Sequence, residues 1–276
     1  MKIRTFFWHN RVISKFRFFL KRVYKKETHR FFLFGNAGDI ITQDIIKYKY
    51  GLKALNINRD GNRLLCVGSI SHKINKGDIL CGIGTKGLPI PDASSSPCEI
   101  IGLRGPITYD YFKKAGYDLR SIRFLKDPGL MIRFLINKNN ILPAGNKIIF
   151  IPHYRERNMY HKLPKGIRLV NIDSKPVDLA YEIQSSRLVY SSSLHGIIFA
   201  HALNRPCVMV KPQTDEPLIK YEDYFASMDL TFKKPLDNIN NVNFKQSPDS
   251  PPDLKYSEED FLFPSIQHLI DHGIAQ

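Results

Sequence analysis

Apolar and polar positions along this chain fall into short strand-like runs, each followed by a helical run. The clearest case is 187–210, RLVYSSSLHGIIFAHALNRPCVMV. Leu188, Val189 and Tyr190 are strand formers, the three serines 191–193 break the run, and Gly196 to Leu203 reads as an apolar helix. Pro206 pushes the residue before it out of the α region and so ends that helix; 207–210 is a second strand. A βαβ unit of this kind puts His195 at the carboxyl end of a strand and the amino end of a helix. Open α/β sheets bind ligands there, and free backbone N–H groups there attract anions. From position alone, His195 is either functional or a helix-start histidine bonded to a backbone carbonyl.

The pattern recurs on both sides of the chain's middle. A strand at 30–34 leads into Gly35-Asn36-Ala37-Gly38-Asp39 and a helical run to about Tyr50. Strands follow at 64–69, 78–83 and 99–103, each closing on small residues, and Arg104-Gly105-Pro106 starts a helix on proline. The polar stretch NKNNILPAGN, 137–146, reads as a linker. Beyond it come a strand at 147–151, a loop at 152–157, a strand at 167–172, a helix at 176–186 and then the βαβ unit. The fold class expected is therefore α/β, with two doubly wound Rossmann-like domains, 30–136 and 147–237, facing a cleft. The segment 238–276 is expected to pack back as a loop and a last amphipathic helix over 258–272.

Charge adds a third region. The formal net charge is +15 over 276 residues, yet residues 1–30 carry ten Lys or Arg against Glu27 alone, so +9 of it sits at one end. Val12, Ile13, Phe16, Phe19, Leu20, Val23 and Tyr24 recur there at spacings of three and four, making an apolar helical face with basic residues largely off it. The segment 1–29 thus reads as separable, lying on an anionic membrane surface through 1–26 or packing on the protein itself or a second copy. No apolar run approaches the roughly 20 residues of a membrane span, and charges break any signal-peptide core. No nucleic-acid-binding module is visible, so no nucleic acid is expected. The four cysteines, 66, 81, 98 and 207, form no CxxC pair, so no zinc or redox motif is suggested. They fit buried thiols in a reducing compartment, and the location expected is cytoplasmic, peripheral on the inner face of the plasma membrane if the amino end binds lipid.

Singly, these loops are weak signals; GNAGD lacks the lysine of a P-loop and the full GxGxxG pattern. In order and spacing, however, GNAGD (35–39), GSI (68–70), GIGTKG (82–87), LRGPIT (103–108), DPGL (127–130), IPHYRE (151–156), SSLHGIIFAHAL (192–203) and KYEDYFASM (220–228) resemble the polysaccharide pyruvyl transferase family. The resemblance covers roughly 31–230. It implies a GT-B-like fold, with 30–136 on the acceptor side and 147–237 on the donor side. It further implies transfer of pyruvate from phosphoenolpyruvate onto a sugar as a ketal, the sugar being free or lipid-linked. The histidine matching His195 is then catalytic, and an arginine near LRGPIT helps hold the donor. Ser193 stands where some members carry arginine, which leaves the source of a second donor-binding cation open.

The chemistry of such a donor narrows the candidates. Its carboxylate and phosphate need several cations and backbone donors, and Arg104, His153, Arg155 and Lys220, with Ser193, fall in loops expected at the cleft. Asn36, Gly38 and Asp39 are expected on the acceptor side. His195 is the natural acid for the donor's methylene carbon; Asp39 either orients and deprotonates an acceptor hydroxyl or is a plain helix cap. No metal and no cofactor beyond phosphoenolpyruvate as co-substrate are expected. The alternatives are a GT-B-like glycosyltransferase using a nucleotide sugar, for whose ribose Asp178 and Glu182 are available but sit on a helix expected away from the cleft, and a non-catalytic membrane scaffold.

Overall fold

A computed structural model describes residues 1–9, 11–24, 31–58, 61–136, 145–243 and 250–276. Two parallel sheets organise them. The first contains six strands, β1 (Lys2–Thr5), β2 (Lys53–Asn56), β3 (Leu64–Leu65), β4 (Ile79–Ile83), β5 (Glu99–Leu103) and β6 (Phe124–Leu125), in the spatial order β2-β1-β3-β4-β5-β6. The second contains β7 (Lys147–Ile151), β8 (Ile167–Leu169), β9 (Ser186–Ser191) and β10 (Cys207–Met209), in the order β10-β9-β7-β8. All strand pairings within these sheets are parallel. The fold is α/β with two Rossmann-like sheets.

In each sheet the chain reverses the direction in which it adds strands. It goes from β1 outward to β2, then crosses to β3 on the other side; likewise from β7 to β8, then across to β9. At such a switch point the connections leave the carboxyl ends in opposite directions and open a crevice. Both crevices contribute to one cavity, described below.

The first strand departs from the sequence expectation. It lies at Lys2–Thr5, inside the basic segment, and not at 30–34. Its burial alternates, with Ile3 and Thr5 fully buried, and Phe6 and Phe7 behind it are 3% and 4% exposed. The amino end is therefore part of the first sheet's core and not a separable appendage. Of the expected strand, Arg30 lies outside the described residues and Phe32 forms only an isolated bridge to Val12. The backbone N–H groups of Leu33, Phe34 and Gly35 instead donate to the Asp173 carboxylate, from the second half of the chain.

Helix α1 (Lys15–Val23) projects the apolar stripe read from the sequence outward: Phe16, Phe19, Val23 and Tyr24 are exposed. Helix α2 (Ala37–Tyr50) begins on Asn36, whose side chain accepts from the Gly38 N–H, and ends on Gly51 in the left-handed region, which donates to the Lys47 carbonyl. Ile41, Ile45 and Ile46 bury one face of it. They pack in one core with Leu179 and Ile183 of α5 (Pro176–Gln184) and Ile197 and Ile198 of α6 (Leu194–Ala202). That core joins residues of both sheets, so the two halves are fused through their helices; separate clusters cover the outer face of each sheet. Helix α3 (Pro106–Lys114) starts on proline as expected, and α4 (Ile132–Leu135) is a single turn.

Most of the expected linker, 137–144, lies outside the described residues; Gly145 donates to the Ser185 carbonyl. The motif KYEDYFASM forms α7 (Ile219–Ser227). The helix expected over 258–272 is split by Pro264 into a 3-10 turn, Glu258–Asp260, and α8 (Ile266–Asp271). After α8 the last residues return to β1: Arg4 N–H donates to Ile274 O and Gln276 N–H to Lys2 O.

Candidate functional site

A cavity of about 650 Å³ lies where the carboxyl ends of the two sheets face each other. Trp8, His9 and Arg11 enter it after β1, His72 and Lys73 after β3, and Lys86 after β4. From the second sheet come His153 and Arg155 after β7, Ser193 and His195 after β9, and Glu216 and Lys220 after β10. Asn36 and Asp39 of the α2 start complete it. Its walls carry five cations, Arg11, Lys73, Lys86, Arg155 and Lys220, against two carboxylates, Asp39 and Glu216.

His195 is the best-positioned side chain in it. It is the second residue of α6, an apolar helix buried on every side. Its ring fills the space that a side chain on Gly38 would occupy, and lies 3.1 Å from where a Cβ on Gly129 would sit. Both glycines belong to the first half of the chain, so the second half supplies the imidazole and the first half clamps it. Nε2 is buried without a hydrogen bond and faces Asp127 Oδ1 at 3.9 Å; the ring nitrogen left open to the cavity is Nδ1. Asp127 holds the Gly129 N–H at 2.7 Å, and its other oxygen, also buried, has no partner. Burial pushes the Asp127 carboxyl up to about 6. Burial, with Lys220 and Arg104 close by, brings the His195 imidazole down to about 3, so the ring is neutral at pH 7 without an anion beside it.

Asp39 is not the helix cap; Asn36 is, and its amide nitrogen also donates to Asp39 Oδ2 at 2.9 Å. The Asp39 carboxyl is turned to the cavity, where desolvation outweighs the pull of Lys220 and raises it to about 7. Gly38, expected on the acceptor wall, contributes by making room for His195. Ser193 precedes α6 with no side-chain capping bond and lies on the cavity wall.

Glu216 gathers basic side chains of the second half of the chain. Lys220 Nζ is 2.5 Å from Glu216 Oε1, and Arg155 Nη1 and His153 Nε2 are 3.5 and 3.6 Å from Oε2. Burial lowers Lys220, with Glu216 opposing, and lowers His153 well below its ordinary range, with Lys220 and Arg155 adding to the effect. The Nδ1 atoms of His9, His72 and His153 are buried without a partner.

Arg104 is the exception among the expected residues. It is fully buried and is not on the cavity wall. Its guanidinium binds Asp223 Oδ2 at 2.9 Å, Ser69 Oγ at 2.7 Å and the Thr85 carbonyl, while Asp223 also accepts from the Thr108 N–H and hydroxyl. A cation so fully engaged braces α3 against α7 and orients Ser69 at the cavity's edge. The wall residues the sequence did not single out are Trp8, His9, Arg11, His72, Lys73, Lys86 and Glu216, with Asp127 behind His195. Asp127 was within reach of sequence reasoning, because DPGL was among the motifs quoted.

The fold and cavity define a two-sheet α/β protein whose ligand site lies between facing switch points. The chain belongs to the polysaccharide pyruvyl transferase family, whose model matches residues 4–214. An uncharacterized protein of Acanthamoeba polyphaga mimivirus is 32% identical over 169 residues, 58% of this chain and 58% of that protein. The matched region thus spans little more than half the length of that relative. A solved structure of a functionally uncharacterized protein from Klebsiella pneumoniae subsp. pneumoniae NTUH-K2044 overlays 80% of this chain and all of its own, with a TM-score of 0.45 and 16% identity.

Proposed function

We propose that this cavity binds phosphoenolpyruvate and a saccharide and transfers the pyruvyl group to two sugar hydroxyls as a cyclic ketal. The observation that carries the reading is His195: one ring nitrogen is buried against Asp127, and the other opens into a cavity with five cations against two carboxylates. A donor carrying a carboxylate and a phosphate suits that balance. Lys220, Arg155 and Ser193 are the donor-side contacts, with His153 beside them.

His195 Nδ1 delivers a proton to the methylene carbon, which leaves C2 cationic. A sugar hydroxyl attacks C2, and Asp39, raised to about 7, takes its proton. A second hydroxyl displaces phosphate to close the ketal; its proton returns to His195, and the proton on Asp39 leaves with the phosphate. Burial chiefly, with the Lys220 and Arg104 charges, holds His195 neutral; the donor's anionic groups oppose those charges and shift the ring toward its protonated form. Trp8, Phe32 and Tyr154 add apolar faces to the polar wall for the sugar.

The exposed stripe Phe16, Phe19 and Val23 of α1, with Tyr24 just after it, flanked by Lys15 and Arg17, suits an anionic membrane surface. It follows directly on the Arg11 wall of the cavity, a placement that would serve a lipid-linked acceptor. Among the described residues no helix is long and apolar enough to cross a membrane.

The test is incubation with phosphoenolpyruvate and candidate free or lipid-linked saccharides, with mass spectrometry for an added pyruvyl group. His195→Ala and His195→Gln should each lose at least about 100-fold in transfer, the low end of general-acid contributions, while retaining most donor affinity. Glutamine can donate a hydrogen bond but cannot give a proton to carbon. Near-normal turnover by His195→Gln would make His195 a binding residue and overturn the assignment.

A further inference from the structure

On the opposite end of the first sheet from the cavity, three side chains converge that the transfer reaction does not use. Glu99 is the first residue of β5, and His268 and His272 stand one helical turn apart on α8 and its carboxyl cap. One donor atom from each lies within 4.8 Å of the other two. His268 Nε2 is 2.7 Å from Glu99 Oε2, and His272 Nε2 is 3.9 Å from the same oxygen.

The tautomer of His272 gives this cluster its direction. Its Nδ1 lies 2.8 Å from the His268 carbonyl oxygen, and a carbonyl only accepts, so Nδ1 holds the proton. In the neutral ring, Nε2 then presents a lone pair toward Glu99 Oε2, which accepts the His268 Nε2–H at 2.7 Å. A metal ion that takes the place of that one proton would be held by all three side chains. A histidine that donates its second N–H to a backbone carbonyl is the usual orientation of a metal ligand. Ligands at tetrahedral zinc stand roughly 3.4 Å apart, given bonds of about 2.0–2.1 Å. The two measured separations bracket that value. Magnesium and calcium prefer all-oxygen sets, whereas two imidazoles and a carboxylate suit zinc. The three side chains are each 36–39% exposed, so solvent can supply a fourth ligand.

We propose that Glu99, His268 and His272 form a zinc-type metal site that fastens the carboxyl-terminal helix to the first sheet. The tail it secures, Ile274 to Gln276, hydrogen-bonds β1, and the His272 carbonyl accepts from Asn62, so the metal would lock the part of the first sheet where the two-residue β3 meets β1 at Thr5 and Leu64 alone.

The test is titration of the full chain with Zn²⁺, and with Co²⁺ as a visible probe. Binding of one Zn²⁺, a rise in Tm with Zn²⁺ but not Mg²⁺, and Co²⁺ d–d absorption are expected. Both His272→Ala and Glu99→Gln should weaken the metal at least about 10-fold and abolish the Co²⁺ spectrum. Amide exchange across 266–276 should slow on adding Zn²⁺ to the wild-type chain and not to His272→Ala. An unchanged Zn²⁺ affinity or Co²⁺ spectrum in the two variants would place the metal elsewhere and overturn the site. So would Zn²⁺ binding that leaves exchange across 266–276 unaltered.

Discussion

The His195 ring occupies the volume that a Cβ on Gly38 would fill, so the imidazole of one half is seated against the amino end of α2 in the other. Gly38→Ala must therefore move the ring bodily, since the overlap involves its Cβ and Cγ as well as Nδ1. Overpacking of this kind costs about 1–3 kcal/mol. The expected result is a folded protein with Tm lowered by several degrees and transfer reduced more than 10-fold per folded molecule. Circular dichroism melts and the mass-spectrometric transfer assay, run on the same preparation, check it; wild-type turnover would mean that His195 does not need its seat.

Arg104 and Lys220 look alike in the sequence and should behave oppositely. Arg104→Ala strands Asp223 as a buried, uncompensated carboxylate, at a cost of about 3–5 kcal/mol. Lys220 stands on the cavity wall, and its loss removes a charged contact worth on the order of 1.5–3 kcal/mol to the donor. Denaturant melts should single out Arg104→Ala, and phosphoenolpyruvate titration should single out Lys220→Ala. A stable Arg104→Ala with weakened donor binding would restore Arg104 to the site.

The contrast between these two residues also marks what the chain's pattern could and could not disclose. Helices α2, α3 and α6 and strands β4, β5 and β7 were legible because each has a period or run ended by glycine, proline or serine. The cavity loops were legible for the same reason: they follow strands. Strand β1 was hidden because it is only four residues, KIRT, whose two outward positions are basic and blend into the charged run around it. Arg104 was misplaced because a strand-end arginine has the same sequence signature whether it meets a ligand or a partner 119 positions away, Asp223. Glu216 and Asp127 matter chiefly through such long-range meetings, with Arg155 and His153 in one case and His195 in the other.

Asp39 makes a pH prediction whose sign is fixed by its environment. Its carboxyl is raised from 3.8 to about 7 when folded, chiefly by desolvation. Between about pH 4 and 7 the folded state holds a proton that the unfolded chain has lost, so this group makes stability fall as pH rises through that window. Asp39→Asn removes the loss. At pH 8 the variant should melt a few degrees above wild type, and the gap should close toward pH 4. Transfer should collapse in the same variant, because the amide cannot accept the acceptor's proton. Melting curves at several pH values check the first claim; a variant less stable than wild type at pH 8 would contradict it.

The amino end joins two roles that separate experiments can pull apart. Residues 1–9 provide β1 and bury Ile3, Phe6 and Phe7, and they place Trp8 and His9 on the cavity wall. Loss of a buried aromatic alone costs about 3–5 kcal/mol. Two of them, with the strand that pairs β2 and the carboxyl-terminal tail, approach the whole 5–15 kcal/mol of a typical fold. Deleting 1–9 should therefore give insoluble protein or one without a cooperative melt. Phe16 and Phe19, by contrast, are 70% and 61% exposed, and surface changes of that kind usually stay within about 0.5 kcal/mol. Phe16→Ser with Phe19→Ser should leave the melt unchanged and weaken co-sedimentation with anionic vesicles, the more so at low salt, where the basic flank contributes most. A cooperative melt from the deletion would show that β1 is dispensable. Unchanged vesicle binding by the double variant would take the α1 stripe out of any membrane contact.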